Sequence, residues 1–377
     1  MYGIALDQRD SARSFEKSKP REWPKMSVYA LWNNKGGVGK SYLTFQIACE
    51  YARTHPQQKV LVVDMCPQAN SSSMLLGGIE RGESGLENLS GLTPPRTISG
   101  YIADRIVSPY VNTNSGANYL TQVSNLNSWI PANLFLICGD EELEMQASGI
   151  RLACSAGPDD SWRIVHTWIR DLIEDVKHSW NQDDITVFID CNPSFTIYTE
   201  LAISAADRLI IPFSADGSSK RAVKSVLALV YGVLRRPGQP QSEFYRNIER
   251  YRMILPQIYS YVGNRLTQMN NSSASAFRTV VLEIFNEVFR VWQANPANFC
   301  VHPSGNPAPT TRSGFRAMFE AQINDANTAS VVSGALGIPI CRLTAGNKSF
   351  AGRNIQVNQS QLDKQQPNIR DFVSSIE

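Results

Sequence analysis

The sequence predicts an α/β fold, a mostly parallel sheet flanked by helices on both faces. Three observations carry that prediction. The glycine-rich run Asn33-Asn34-Lys35-Gly36-Gly37-Val38-Gly39-Lys40-Ser41 stands between the apolar stretch Val28-Tyr29-Ala30-Leu31-Trp32 and a helical pattern that continues through Tyr51. The runs Val60-Leu61-Val62-Val63-Asp64 and Ile185-Thr186-Val187-Phe188-Ile189-Asp190 are short, β-branched and apolar, as buried parallel strands are, and each ends on a carboxylate. Helix-length and strand-length segments then alternate along most of the remaining chain.

The elements follow in order. A strand over 28–32 leads through the glycine-rich turn into a helix, and a strand over 60–64 comes next. Residues 77–131 are rich in Gly, Ser, Asn and Pro and read as an inserted, loop-rich excursion with one short helical candidate near 98–106. A strand follows over 134–138. Helical periodicity over 161–180 sets Trp162, Val165, Ile169, Leu172, Ile173 and Val176 on one side. After the strand at 185–190 come a helix over 198–206, a strand over 208–212 and a helix over 218–234. A strand within 253–262, ending near Gly263-Asn264-Arg265, precedes a helix over 274–292. A Pro/Asn/Thr/Ser loop at 296–313, a helix near 314–326 and a short strand around 336–341 complete the pattern. The expected organisation is an extension over 1–25, one domain over 26–345 carrying the 77–131 insertion, and a tail over 346–377.

Composition narrows the class. With 377 residues, 42% apolar and 19% charged, the chain reads as a soluble globular protein. No apolar stretch approaches the length of a transmembrane helix, and residues 1–25, with mixed charges, Pro20 and Pro24, lack the apolar centre of a signal peptide. A formal charge of +2 means that any DNA contact is a local patch. Seven cysteines without paired metal-ligand spacing fit a reducing cytosol and argue against a zinc or iron–sulfur site.

A strand, a glycine-rich turn and a helix start form a cradle for phosphate, because backbone N–H groups and the positive helix end face the anion. Lys40 is placed to reach the β- and γ-phosphates of a nucleotide, and the Ser41 hydroxyl to hold Mg²⁺. The fold class is therefore a P-loop NTPase, with Asn34, Lys35, Gly36, Gly37, Val38, Gly39, Lys40, Ser41 and Tyr42 as the ATP-binding segment. Asn34 stands where the general pattern has its first glycine. Asp190 ends a strand opposite the phosphates, where a carboxylate can engage Mg²⁺-bound water or Ser41. Asp64, at the end of the neighbouring strand, can orient the attacking water through Mg²⁺ or directly. Lys35 can neutralise charge growing on the transferring phosphoryl group, including across a dimer. Asn264 and Arg265 either contact the base or form a structural turn. Lys220, Arg221 and Lys224, then Arg235-Arg236, then Arg246, Arg250 and Arg252 form basic groups suited to a phosphate backbone or to a solvated helix face.

The segment 34–41, with its early lysine, resembles the deviant Walker A box of the ParA/MinD superfamily. Asp64-Met65-Cys66-Pro67-Gln68-Ala69-Asn70 resembles the Asp-x-Asp-Pro-Gln-Gly-Asn stretch of the ParA/Soj branch, and Ile189-Asp190-Cys191-Asn192-Pro193-Ser194 its Ile-Asp-Cys-Pro-Pro-Ser box. The similarity runs with gaps from about residue 26 to 345; the later segments around 262–265 and 337–339 are looser. The resemblance implies a cytoplasmic, nucleoid-associated DNA-partitioning ATPase that forms a homodimer around ATP and Mg²⁺, with Lys35 reaching the partner's phosphates. It further implies non-specific DNA binding and a ParB-like activator. A membrane-binding relative is a poorer match, because the chain ends without a basic amphipathic helix.

This sequence departs from the family at Cys66, which stands where the family has the second aspartate, the residue that resembles the water activator. A neutral thiol is a weak acceptor, so the expectation is slow hydrolysis, or hydrolysis that relies on Asp64. The second departure is the long 77–131 excursion. A nucleotide switch for cargo positioning or a defence system is the alternative function.

Overall fold

The strands pair as the alternation requires. In a computed structural model that describes residues 26–181, 184–234, 236–266 and 272–377, with side chains of 265–277 excepted, the sheet contains β1 (Met26–Leu31), β2 (Lys59–Met65), β3 (Thr121–Gln122), β4 (Leu134–Ile137), β5 (Ile185–Cys191), β6 (Arg208–Phe213), β7 (Gln257–Leu266) and β8 (Glu320–Asn324). Its order is β3-β4-β2-β5-β1-β6-β7-β8, parallel throughout except for the short β3. The expected extension over 1–25, Arg235 and the Arg265 side chain lie outside the described residues.

Side chains that alternate along a strand enter opposite faces of the sheet. Val28 and Ala30 of β1 join one apolar cluster, Tyr29 and Leu31 the other, and β2 divides Leu61 and Val63 from Val60 and Val62 in the same way. The first cluster is covered by helices Ile98–Val107, Trp168–Trp180, Ile197–Ala205, Ser219–Tyr231 and Ser272–Ala294. The second is covered by Lys40–Thr54, Asn70–Leu76, Thr328–Leu336 and Gln359–Ser374. The P-loop fold with helices on both faces is as the sequence predicts.

Several elements differ from expectation. The 77–131 segment is not mainly loop: Gly78–Ser90 is a helix, and Gly116–Tyr119 and Val123–Asn125 are 3-10 turns. Gly77 and Gly78 turn the chain at φ 124° and 79°, whereas Gly82 serves packing. A Cβ on Gly82 would lie 2.1 Å from the Ser73 carbonyl oxygen, so glycine lets this helix press against its neighbour. The helix expected near 314–326 is a helix Arg312–Phe319 followed at once by β8, an edge strand whose polar residues hide its periodicity. No strand forms over 336–341; the helix Thr328–Leu336 ends on Gly337 at φ 62° and a turn follows.

The expected tail over 346–377 is part of the fold. Strands β9 (Gly346–Phe350) and β10 (Arg353–Val357) form an antiparallel hairpin. The helix after it buries Leu362, Ile369, Phe372 and Val373 in the second cluster. Its polar sequence with internal Pro367 conceals this, because only its sparse apolar positions meet the core.

Candidate functional site

The glycine run spans the C-terminal ends of β1, β5 and β6, where an open parallel sheet binds its ligands. Trp32 Nε1 donates to the Asn192 carbonyl at 2.9 Å, and Asn33 Nδ2 to the Pro212 carbonyl at 2.7 Å, so the loop is fastened to both neighbouring strands. Gly37 and Gly39 take φ values of 73° and 76°, which favour glycine, and a Cβ on Gly36 or Gly37 would meet nothing within 4 Å. Gly36, Gly37 and Gly39 line the same groove as Lys40 and Ser41, as the backbone of an anion cradle would. The helix Lys40–Thr54 begins immediately after it.

Asn264 acts on this loop from β7: its Nδ2 donates to the carbonyls of Val38 and Gly39 at 2.9 and 3.1 Å. Of the two roles open for it in the sequence, these bonds belong to the structural one. Lys40 curls over the loop, with Nζ 3.0 Å from the Lys35 carbonyl oxygen. Burial draws its ammonium down from the ordinary value, and Asp190 opposes that shift.

Two carboxylates lie side by side, Asp64 opposite Asp190 in the pairing of β2 with β5. Both are fully buried. Asp64 is hydrogen-bonded by the Cys66 N–H at 3.1 Å, the Ser72 N–H at 3.0 Å and the Ser72 hydroxyl at 2.7 Å. Burial still raises its pKa. Gly139 permits this crowding, since a Cβ there would stand 2.9 Å from the Asp64 carboxyl carbon. Neither oxygen of Asp190 accepts a well-formed hydrogen bond, although the hydroxyls of Ser41 and Ser71 lie near enough to favour its charged form. Burial first, and then the neighbouring Asp64, push its pKa up to about 7, with Ser41 and Lys40 pulling it down. A buried carboxylate left without a well-formed hydrogen bond beside a serine hydroxyl is an all-oxygen set that fits a hard divalent cation such as Mg²⁺.

Cys66 lies near both aspartates and Lys40, 3% exposed, its Sγ 3.8 Å from Asn192 Oδ1. Burial, with Asp64 and Asp190 adding to it, pushes the thiol up to about 12, so it stays protonated and neutral at physiological pH.

Lys35 points away from the cradle in this structure. Its Nζ is hydrogen-bonded to the Asp216 carboxylate and lies 3.2 and 3.3 Å from the hydroxyls of Ser214 and Ser219. Although burial raises the Asp216 pKa, the bonds from Lys35, Ser214 and Ser218 hold it well below the usual range. Asp216, Ser72 and Asn192 were not among the residues expected at the site. Only Asp216 had a signal, as a carboxylate in the loop after a strand that ends beside the glycine run.

Lys40, Ser41, Tyr42 and Cys66 line one groove of about 630 Å³, which also takes in Gln68, Glu83, Val331 and Phe350. That volume is in the range of small-molecule sites. The basic groups are dispersed. Lys220 and Lys224 pair with Glu283 and Glu287 at 3.5 and 2.9 Å, whereas Arg221, Arg246, Arg250 and Arg252 are exposed.

Against this geometry, a family model described as "AAA domain" matches residues 26–238. The chain belongs to that family. Together with its relatives, this places the chain in the ParA/MinD group of P-loop proteins that the two aspartate boxes resemble. A putative replication protein A of Sinorhizobium fredii is 25% identical over 282 residues, covering 74% of this chain and 61% of that protein. The chromosome partitioning protein ParA of Caulobacter vibrioides is 27% identical over 192 residues, covering 51% of this chain and 57% of that one. The chain thus spans less than two thirds of the length of these curated relatives. Among solved structures, an ATP complex of a Cyanothece McdA variant superposes with a TM-score of 0.57 at 15% identity, covering 94% of this chain and 99% of that one. Apo McdA gives 0.53 at 17% identity, with 83% and 91% covered. These likenesses show the fold. No described helix is long and apolar enough to cross a membrane.

Proposed function

We propose that this chain is a ParA-like, Mg²⁺-dependent ATPase that dimerises on ATP, binds DNA non-specifically and hydrolyses ATP slowly. The observation that carries it is the glycine cradle with Lys40 and Ser41 facing the buried Asp190. The loop amides and Lys40 hold the triphosphate. Ser41 and Asp190 hold Mg²⁺, and Asp64 sets the charge behind them. When bound, the ion neutralises charge on the phosphates. Lys35 leaves Asp216 and reaches the partner's nucleotide in the dimer. A ParB-like protein is the expected activator.

Slow turnover follows from Cys66. A protonated thiol cannot accept a proton from water at neutral pH, and the nearest carboxylates are held by Ser72 or face the cation site. The test is Cys66→Asp: turnover with Mg²⁺ is expected to rise by at least about tenfold, the lower side of what a positioned base contributes. No gain with DNA and activator present rejects slow hydrolysis through Cys66. The same variant sets a third carboxylate beside two others, and we expect it to cost the unliganded protein about 1–3 kcal/mol, read by denaturant melts.

A second reading, a nucleotide switch that positions cargo or serves in defence without segregating DNA, draws support from the ion-paired Lys220 and Lys224. Binding of duplex DNA with ATP, ADP or no nucleotide separates the two. ATP-only binding that weakens with salt favours partition.

A further inference from the structure

Beside the P-loop serine stands Tyr42, which lines the groove together with Lys40 and Ser41. Its hydroxyl donates to Gln365 Oε1 at 2.7 Å, 323 residues further along the chain. Gln365 is fully buried on the helix Gln359–Ser374, and its Nε2 donates to the Asn324 carbonyl at the end of β8 at 2.9 Å. The Asn324 N–H is taken by Asn368 Oδ1 of the same helix at 3.1 Å. One turn further along the P-loop helix, Gln46 repeats the arrangement: it donates to the Ser333 hydroxyl at 2.8 Å and accepts from the Ile340 N–H at 2.7 Å. Tyr42 and Gln46, four residues apart, form a polar stripe on one face of that helix, and both partners come from the last part of the chain.

We infer that Gln365 is a positioning residue for the bound nucleotide, acting through Tyr42, so that the C-terminal helix supports the phosphate site from behind that side chain. The inference rests on the nucleotide-binding reading above. A tyrosine at the mouth of a helix N-terminus has several staggered rotamers open to it. A buried acceptor at the right distance selects one of them, and that acceptor is itself held by β8. Ordering of the ring then precedes ligand binding rather than accompanying it, which removes an entropic cost from binding. The hairpin places Phe350 on the same groove, so one element after residue 345 lines the site directly, and the last helix reaches it through Tyr42.

The test is the binding of a fluorescent ATP analogue, with Mg²⁺, to the full chain carrying Tyr42→Phe, Gln365→Leu or both. Circular dichroism is used to verify folding at the assay temperature. Each single variant is expected to bind about threefold to tenfold more weakly, the range of one neutral hydrogen bond. The double variant is expected to bind no more weakly than either single one, because both remove the same contact. In steady state the loss is expected in KM, with kcat within about twofold of wild type, since the ring orients the ligand and takes no part in the chemistry. Tyr42→Phe keeps the ring and guards against a Gln365→Leu protein that fails to fold. Singles that bind as wild type, or losses that add in the double variant, overturn the inference. Failure of the wild type to bind, or full binding by Lys40→Ala, instead rejects the nucleotide-binding reading itself.

Discussion

Asp190 shows what a binding site costs before its ligand arrives. Both of its oxygens are buried without a well-formed hydrogen bond, next to a second buried carboxylate. Its native pKa, pushed up to about 7, exceeds that of the unfolded chain, near 4. The native state therefore holds a proton that the unfolded state releases. Stability of the unliganded protein is greatest below about pH 4 from this group and is lost as pH climbs to about 7. Asp190→Asn removes the titration, so its unfolding free energy is expected to change less between about pH 5 and about pH 7.5, as measured by urea melts at several pH values. An equal slope in both proteins assigns the pH dependence elsewhere. That Lys40, Ser41 and Asp190 come together at the ends of neighbouring strands was legible in the sequence, because their motifs carry their own geometry. Ser72 and Gly139 were not, since their roles depend on where Asp64 points.

At the scale of elements, glycine decides one question that periodicity does not. Alanine at an exposed helical position gains about 1 kcal/mol over glycine. At Gly82 the added methyl would sit 2.1 Å from a backbone oxygen of the preceding helix, and overpacking of that kind costs about 1–3 kcal/mol. The clash outweighs the propensity, so Gly82→Ala is expected to destabilise the protein by about 1–2 kcal/mol in denaturant melts; a more stable variant contradicts the close packing. The loop after β6 holds Lys35 through Asp216, and their side chains are 23% and 50% exposed. Solvent screens such a pair, which limits it to about 1 kcal/mol or less. Each protomer releases one such pair on dimerising, so Asp216→Ala is expected to lower the protein concentration for ATP-dependent dimerisation by no more than about thirtyfold, followed by sedimentation velocity. An unchanged or higher concentration removes Asp216 as a restraint on Lys35.

For the whole molecule, the part that looked like a tail closes one face of the sheet. Phe372 is 5% exposed within the second cluster, and removing a buried phenyl group costs about 3–5 kcal/mol. Phe372→Ala is expected to lose that much in equilibrium unfolding, and a loss below about 1 kcal/mol speaks for a peripheral helix.

The sequence by itself determined the parallel sheet, the phosphate loop and the two strand-end aspartates, because each is encoded by neighbours in the chain: a glycine turn beside a strand, an apolar run before a carboxylate. Tertiary structure decided that Lys35 is held by Asp216, that Asn264 braces the loop, that Gly82 packs instead of turning and that the last helix reaches Tyr42. Those contacts join residues from nine to 323 positions apart, and their energy lies in packing and hydrogen bonds that no local pattern records.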